Sequence, residues 1–307
     1  MYNKIQVWKK ITSCGLEKEI KPDVPMRCHT SWKIGGNADF FCIPSHQDQL
    51  KEVLYFALNH NLPIYIIGNG TNIWVPDEGI KGLVVKIART IDKVEYSDKM
   101  VKAEAGILLS ALVKNVTDKE LSGLEFAAHI PGTLGGAIIN NASFEGESLS
   151  DIVNEITLLD YHTGHIETLN KDKFSFYYRG IDIDCKEFIL LGASLLLSTL
   201  DKEDILLKIK QCYEQRKIKQ PVNFLTAGCV FKNPEKRSAG YLIEKAGAKG
   251  LAVGDAQVST KHANFIINRG QATASDILQL IEKIESLVEK VFDIRLEREI
   301  DFIGLPG

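Results

Sequence analysis

The chain has 307 residues, 45% of them hydrophobic and 25% charged, and its 37 basic and 40 acidic side chains leave a net charge of -3. That length holds about two domains of roughly 150 residues and buries a core without help from disulfides or metals. The composition excludes disordered, collagen-like and mucin-like chains, and the near-balanced charge offers no field for a polyanion, so nucleic acid is not an expected partner.

The opening residues, MYNKIQVWKKITSCG, contain no apolar signal-peptide core. Up to about residue 200 the pattern is strand-rich, with apolar runs at 38–43, 63–67, 83–87, 152–160 and 187–197 bounded by Gly, Pro, Asn or Asp. Two helices interrupt them. The first, 47–59, has Leu50, Val53, Leu54 and Ala57 on one face; the second, 106–119, has Leu108, Leu112 and Val116. The longest apolar run, 188–200, is too short for a bilayer and is broken by Gly192 and Ser194, so a cytoplasmic protein with no membrane partner is expected. A long helix over 202–219, with Ile205, Ile209, Cys212 and Tyr213 inward, is stopped by Pro221. Beyond it come a strand around Cys229, a helix over 239–246, a strand over 264–268 and a helix over 275–291. The last has apolar residues from Ile277 to Val291 on one face and a capping box at Thr273 and Asp276. The expected fold class is α+β, with a first domain over 1–203 and a smaller α+β domain over 204–307.

Two uncharged glycine-rich segments stand out. In IIGNGTN, Gly68, Asn69, Gly70, Thr71 and Asn72 follow a strand and would let backbone N–H groups converge on an anion; an ordinary tight turn accounts for them equally well. Neither GxGxxG nor GxxxxGK[ST] is present. In PGTLGG, Pro131, Gly132, Thr133, Gly135 and Gly136 strip side chains from an apolar stretch, as a flat ring and a pyrophosphate would require; a buried crossing loop is the alternative. Neither segment holds a well-placed His or Cys for covalent attachment of a cofactor. The reactive side chains cluster in FYYRG, with Arg179; in AGCVFKNP, where strand alternation puts Cys229, Phe231 and Asn233 on one face; and in RLEREIDFIG, where Glu297 and Glu299 share a side. A surface arginine, a small buried thiol and solvated carboxylates are the plain readings of each alone. Six cysteines without a CxxC pair and seven scattered histidines give no metal-ligand set, so no metal is expected.

Taken in order, HTSWKIGGNADFFCIP, IIGNGTNIWVPDEGIKGLVV, GLEFAAHIPGTLGGAIINNAS, FYYRG, RKIKQP, AGCVFKNP, SAGYLIEKAGAKG, VSTKHANFIIN and RLEREIDFIG resemble the UDP-N-acetylenolpyruvoylglucosamine reductase family over nearly the whole chain. The resemblance implies a vanillyl-alcohol-oxidase-type FAD-binding domain followed by a substrate domain. It implies non-covalent FAD held by Gly68–Asn72 and Pro131–Gly136, NADPH as co-substrate, and UDP-N-acetylglucosamine enolpyruvate as substrate, in a monomer that serves peptidoglycan precursor synthesis. By the same resemblance Arg179 stabilises the developing charge, Cys229 donates the proton, and Glu299 acts beside Arg179 on the developing charge or as a proton source. Arg216, Gln220, Lys232 and Asn233 contact the nucleotide sugar. Three positions depart from the family pattern. Cys229 stands where serine is most familiar, Gly180 where serine is frequent, and Ser143-Phe144-Glu145-Gly146 where Gly-Ala-Tyr-Gly is common. On the residues alone, another flavin oxidoreductase and a non-catalytic flavin or nucleotide-sugar binding module remain as alternatives.

Overall fold

The computed structural model describes residues 2–304. The chain forms two compact units and passes between them repeatedly: one holds the chain up to Pro22, Phe40–Asn69 and Gly82–Glu214, the other Asp23–Asp39, Gly70–Lys81 and the chain from Gln215. The expected division at 203/204 is a single cut, and the crossing nearest to it lies at Glu214/Gln215 inside the helix Lys202–Lys219. Among the described residues no helix is long and apolar enough to cross a membrane.

In the first unit five antiparallel strands lie in the order Ile166–Asn170, Val153–Asp160, Phe188–Leu196, Met100–Glu104 and Val94–Ser97. Phe188–Leu196 is central and buried on both faces, which is why it reads as an unbroken apolar run. The two residues that break the run have structural causes. A side chain at Gly192 would begin 2.7 Å from the Ala103 carbonyl oxygen on the neighbouring strand, and Ser194 Oγ donates to Glu155 at 2.9 Å. The helices Leu109–Thr117 and Leu134–Ile139 share a core with this sheet. A second core joins the helices Lys4–Ser13 and Gln47–Asn59 to strand residues Phe40, Leu83 and Val85. Here Ile64–Ile67 runs parallel to Ile80–Lys86, from Ile64 opposite Leu83 to Ile67 opposite Lys86, and ends at Gly68.

The helix Lys202–Lys219 has its expected bounds, but its inward face is thinner than the periodicity implied. Only Ile205 is fully buried; Ile209 and Cys212 are half-buried and Tyr213 is exposed, packing its ring 4.6 Å from that of His129. Charged residues surround most of the helix, so a surface position satisfies it.

In the second unit the strands Ala252–Val253, Ala256–Val258 and Ile266–Asn268 form an antiparallel sheet beside the helices Ala239–Lys245 and Ala274–Phe292. The last helix carries the expected capping box: Asp276 N donates to Thr273 Oγ1 at 3.0 Å, and Thr273 N to Asp276 Oδ2 at 2.9 Å. Val291 is exposed, contrary to the expected apolar face. Early segments of the chain are built into this unit. Trp32 Nε1 donates to the Ile266 carbonyl at 2.8 Å and Trp74 Nε1 to the Ala274 carbonyl at 3.0 Å, while both Asp77 carboxylate oxygens accept from Ala274 N and Ser275 N at 2.9 Å. That carboxylate sits where the helix dipole is positive.

The expected strand around Cys229 is not a strand ladder. Isolated bridges link Leu225 to Asn268, Cys229 to Phe265 and Phe231 to Arg298. Gly228 has φ +88 just before Cys229, and Val230 and Phe231 are both buried. Instead Asn264 clamps this segment, its side chain accepting from Phe231 N at 3.0 Å and donating to the Phe231 carbonyl at 2.7 Å. Glu297 and Glu299 likewise lie in irregular extended chain, bridged only at Arg298.

Candidate functional site

Gly68, Asn69, Pro131–Gly136 and Arg179 lie in the first unit; Gly70–Asn72, Arg216, Gln220, Cys229, Lys232, Asn233 and Glu299 lie in the second. In the first unit the two glycine-rich segments meet. A Cβ at Gly68 would fall 2.5 Å from Thr133 Oγ1, and one at Gly135 would fall 2.8 Å from the Ala105 Cβ, so both glycines are demanded by close packing of the chain on itself. Thr133 is buried and caps the short helix Leu134–Ile139, accepting from Gly136 N at 3.3 Å. Leu134 N and Gly135 N donate to the carbonyls of Ile107 and Ala105, both at 2.9 Å. Gly136 is different. It is exposed, and a Cβ there would meet only Thr133 Oγ1, at 3.6 Å.

Arg179 occupies the tip of a hairpin between Phe176–Tyr177 and Gly180–Ile181, with φ +59. Its guanidinium donates from Nη1 to Ser143 Oγ at 3.1 Å and lies 5.5 Å from the centre of the Tyr178 ring. A side chain at Gly180 would begin 2.2 Å from the ring of the exposed Tyr177. Sequence reasoning missed Ser143 and Asn141, whose Nδ2 donates to the Tyr177 carbonyl at 3.2 Å. The signal for Ser143 was its departure from the family pattern.

In the second unit Gly70 has φ +69, and a Cβ there would lie 1.9 Å from the His29 carbonyl oxygen. The loop it opens is tied to the C-terminal segment, because Asn72 Nδ2 donates to the Glu299 carbonyl at 3.0 Å and Asp301 N to the Asn72 carbonyl at 2.9 Å. Glu299 N in turn donates to the Val230 carbonyl at 2.8 Å, so Glu299 and Cys229 stand on neighbouring chain segments. Glu297 is drawn away: its exposed carboxylate pairs with Lys232 Nζ at 2.5 Å. Asn233 Oδ1 accepts from Ala239 N at 2.9 Å, giving that residue a role at the start of the helix Ala239–Lys245. Gln220 N donates to the Arg216 carbonyl at 2.8 Å. Ser31, whose N–H donates to the Gly70 carbonyl at 2.9 Å, has a buried hydroxyl with no hydrogen-bond partner among the described residues. An orphaned hydroxyl beside this loop fits a polar ligand held there.

Burial pulls the Arg216 guanidinium below its ordinary pKa while the neighbouring Cys229 raises it. Burial, with a smaller contribution from Lys249, holds His262 below the usual imidazole range; its Nδ1 accepts from Asn264 N at 3.3 Å and its ring meets Phe265 at 4.8 Å. A folded-state pKa below the unfolded one means that the unfolded chain binds the proton more readily, so stability falls as the pH drops through the unfolded value of about 6.5. The melting temperature is therefore expected to decrease between about pH 7.5 and pH 5.5, and His262→Gln to flatten that dependence. Equal slopes in thermal denaturation of the two proteins would refute it.

The chain is similar to known proteins along nearly its whole length. A family profile described as FAD binding domain matches residues 38–170, and one described as UDP-N-acetylenolpyruvoylglucosamine reductase, C-terminal domain, matches residues 220–303. The chain is 41% identical over 302 residues to the UDP-N-acetylenolpyruvoylglucosamine reductase of Alkaliphilus oremlandii, covering 98% of this chain and 99% of the relative. It is 41% identical over 288 residues to that of Clostridioides difficile, covering 94% of each. Among solved structures it is similar to the UDP-N-acetylenolpyruvylglucosamine reductase of Thermus caldophilus, with a TM-score of 0.78, 32% identity, and coverage of 93% of this chain and 98% of that one. The fold class is the expected α+β one, with a vanillyl-alcohol-oxidase-type FAD-binding domain and a C-terminal reductase domain.

Proposed function

The chain belongs to the UDP-N-acetylenolpyruvoylglucosamine reductase family, and from that premise we propose that it is an FAD-dependent oxidoreductase that uses NADPH to reduce UDP-N-acetylglucosamine enolpyruvate to UDP-N-acetylmuramate, with Cys229 as proton donor. The observation that carries this reading is the hydrogen-bonded chain from Asn72 through Glu299 to Val230, which joins a glycine loop expected to hold the cofactor to the segment bearing the thiol. When bound, FAD would supply the hydride-transfer chemistry that links oxidation of NADPH to reduction of the substrate alkene. The residues present fit that cofactor: Gly136 offers bare backbone, and the Ser31 hydroxyl needs a partner. A monomeric, cytoplasmic enzyme of peptidoglycan precursor synthesis completes the reading.

The protein's own groups carry the rest. Arg179 binds the substrate carboxylate, onto which negative charge spreads once the alkene has been attacked at its terminal carbon. The Cys229 thiol gives its proton to the adjacent carbon, and Glu299 orients that end of the substrate. Arg216, Gln220, Lys232 and Asn233 hold the nucleotide sugar. An anaerobic visible spectrum tests the whole: NADPH bleaches the flavin band and subsequent UDP-N-acetylglucosamine enolpyruvate restores it. A band that NADPH leaves intact, or that the substrate leaves bleached, overturns the proposal.

The glycines give a sharper test of cofactor placement than their number suggests. Gly70→Val is expected to unfold the second unit's loop, because the side chain strikes the His29 carbonyl in a left-handed backbone. A Cβ at 136 has only Thr133 Oγ1 near it, at 3.6 Å, outside the backbone of its own helix, so Gly136→Ala should leave the melting temperature of the apoprotein within about 3 °C and Gly136→Val should reduce flavin occupancy several-fold. Full flavin content in Gly136→Val would remove this residue from the cofactor site.

A further inference from the structure

We propose that Ser143 is the positioning residue for Arg179, fixing the orientation of its guanidinium through the hydroxyl that accepts from Nη1 at 3.1 Å. The inference rests on the reading of Arg179 as the carboxylate-binding cation. An arginine carries its charge at the end of a long side chain, and a cation aids a developing charge most when its direction is set in advance. The Tyr178 ring, 5.5 Å from the guanidinium, limits its position. Ser143 supplies that direction.

Ser143 can do so because its own backbone is held. Ser143–Phe144 and Glu147–Ser148 form a hairpin whose two turn residues, Glu145 at φ +51 and Gly146 at φ +92, both have positive φ, the pattern of a type I′ turn. Ser143 is paired with Ser148, which Asp151 anchors by accepting from its N–H at 2.9 Å and from its hydroxyl at 3.0 Å. Asn141 then binds the two hairpins together. Its Nδ2 donates to the Tyr177 carbonyl at 3.2 Å, and its Oδ1 accepts from Ser150 N at 3.2 Å. One strut thus holds the backbone before Arg179 and a second holds its side chain. A glycine at 143 would keep the hairpin and lose the second strut, so the departure from Gly-Ala-Tyr-Gly adds a function to the segment.

The experiment uses the FAD-loaded enzyme with nitrogen-labelled arginine. The rotation rate of the Arg179 guanidinium is measured by NMR, with Arg179→Lys assigning the signal. Ser143→Ala is expected to speed that rotation several-fold and Ser143→Thr to restore it. In stopped-flow measurements Ser143→Ala should slow flavin reoxidation by UDP-N-acetylglucosamine enolpyruvate about 10-fold, as for loss of a hydrogen bond to a charged group, and leave reduction by NADPH within about twofold. In an Arg179→Ala background the same change should cost nothing further. Unchanged rotation in Ser143→Ala overturns the inference, as does an equal loss in both half-reactions. If Arg179→Ala reoxidises at the wild-type rate while Ser143→Ala still frees the guanidinium, the catalytic reading of Arg179 fails and the positioning of Arg179 by Ser143 stands.

Discussion

Cys229→Ala is expected to slow the half-reaction with UDP-N-acetylglucosamine enolpyruvate by about 100- to 10,000-fold, the usual contribution of a positioned general acid, while flavin reduction by NADPH proceeds normally. The thiol is half-buried, and it lies beside the segment through which Glu299 is held, within electrostatic range of Arg216. Lys232, the cation nearest in sequence, has its ammonium committed to Glu297, so it does not compete for the proton donor. A proton donor must carry its proton into the reaction, and the larger sulfur of a thiol demands more room than a hydroxyl. Cys229→Ser should therefore retain part of the rate. Alkylation should inactivate the wild-type enzyme and be blocked by bound nucleotide sugar. Wild-type turnover by Cys229→Ala would show that another group delivers the proton and that Cys229 is only a small packed residue.

Arg179→Ala is expected to cost about 100- to 1,000-fold in reoxidation by the substrate, the scale of removing one electrostatic contact to a developing anion, and Glu299→Gln to slow the same half-reaction, with NADPH reduction little changed in both. The charge that Arg179 addresses exists only after the alkene has accepted a hydride, and Glu299 acts on the substrate that accepts it. Glu297→Gln is the control. Its carboxylate is 71% exposed and spends itself on Lys232, and an exposed pair of this kind contributes about 0–1 kcal/mol, so the rate should change by less than about fivefold. Rapid-mixing traces of each half-reaction decide the matter; failure of Arg179→Ala and Glu299→Gln at the NADPH step, with normal turnover of prereduced enzyme, would overturn the assignment.

The sequence by itself determined what depends on near neighbours. The helices Gln47–Asn59 and Lys202–Lys219 have the bounds that their periodicity implied, and the capping box at Thr273 and Asp276 closes as its spacing required, because turn geometry links residues only three or four apart. The ordered motifs were enough to identify the family. What the sequence left open was decided by contacts between distant segments. Glu297 and Glu299 were indistinguishable by alternation, and only the Lys232 pair on one side and the Asn72 and Val230 hydrogen bonds on the other separate them. The segment through Cys229, Phe231 and Asn233 is held by Asn264 and isolated bridges, not by the strand ladder that its sequence implied. The early segments around Trp32 and Trp74 join the second unit through bonds to Ile266 and Ala274, 234 and 200 residues away. Closing such spans gains nothing until the whole core forms, so no local pattern in the sequence records it.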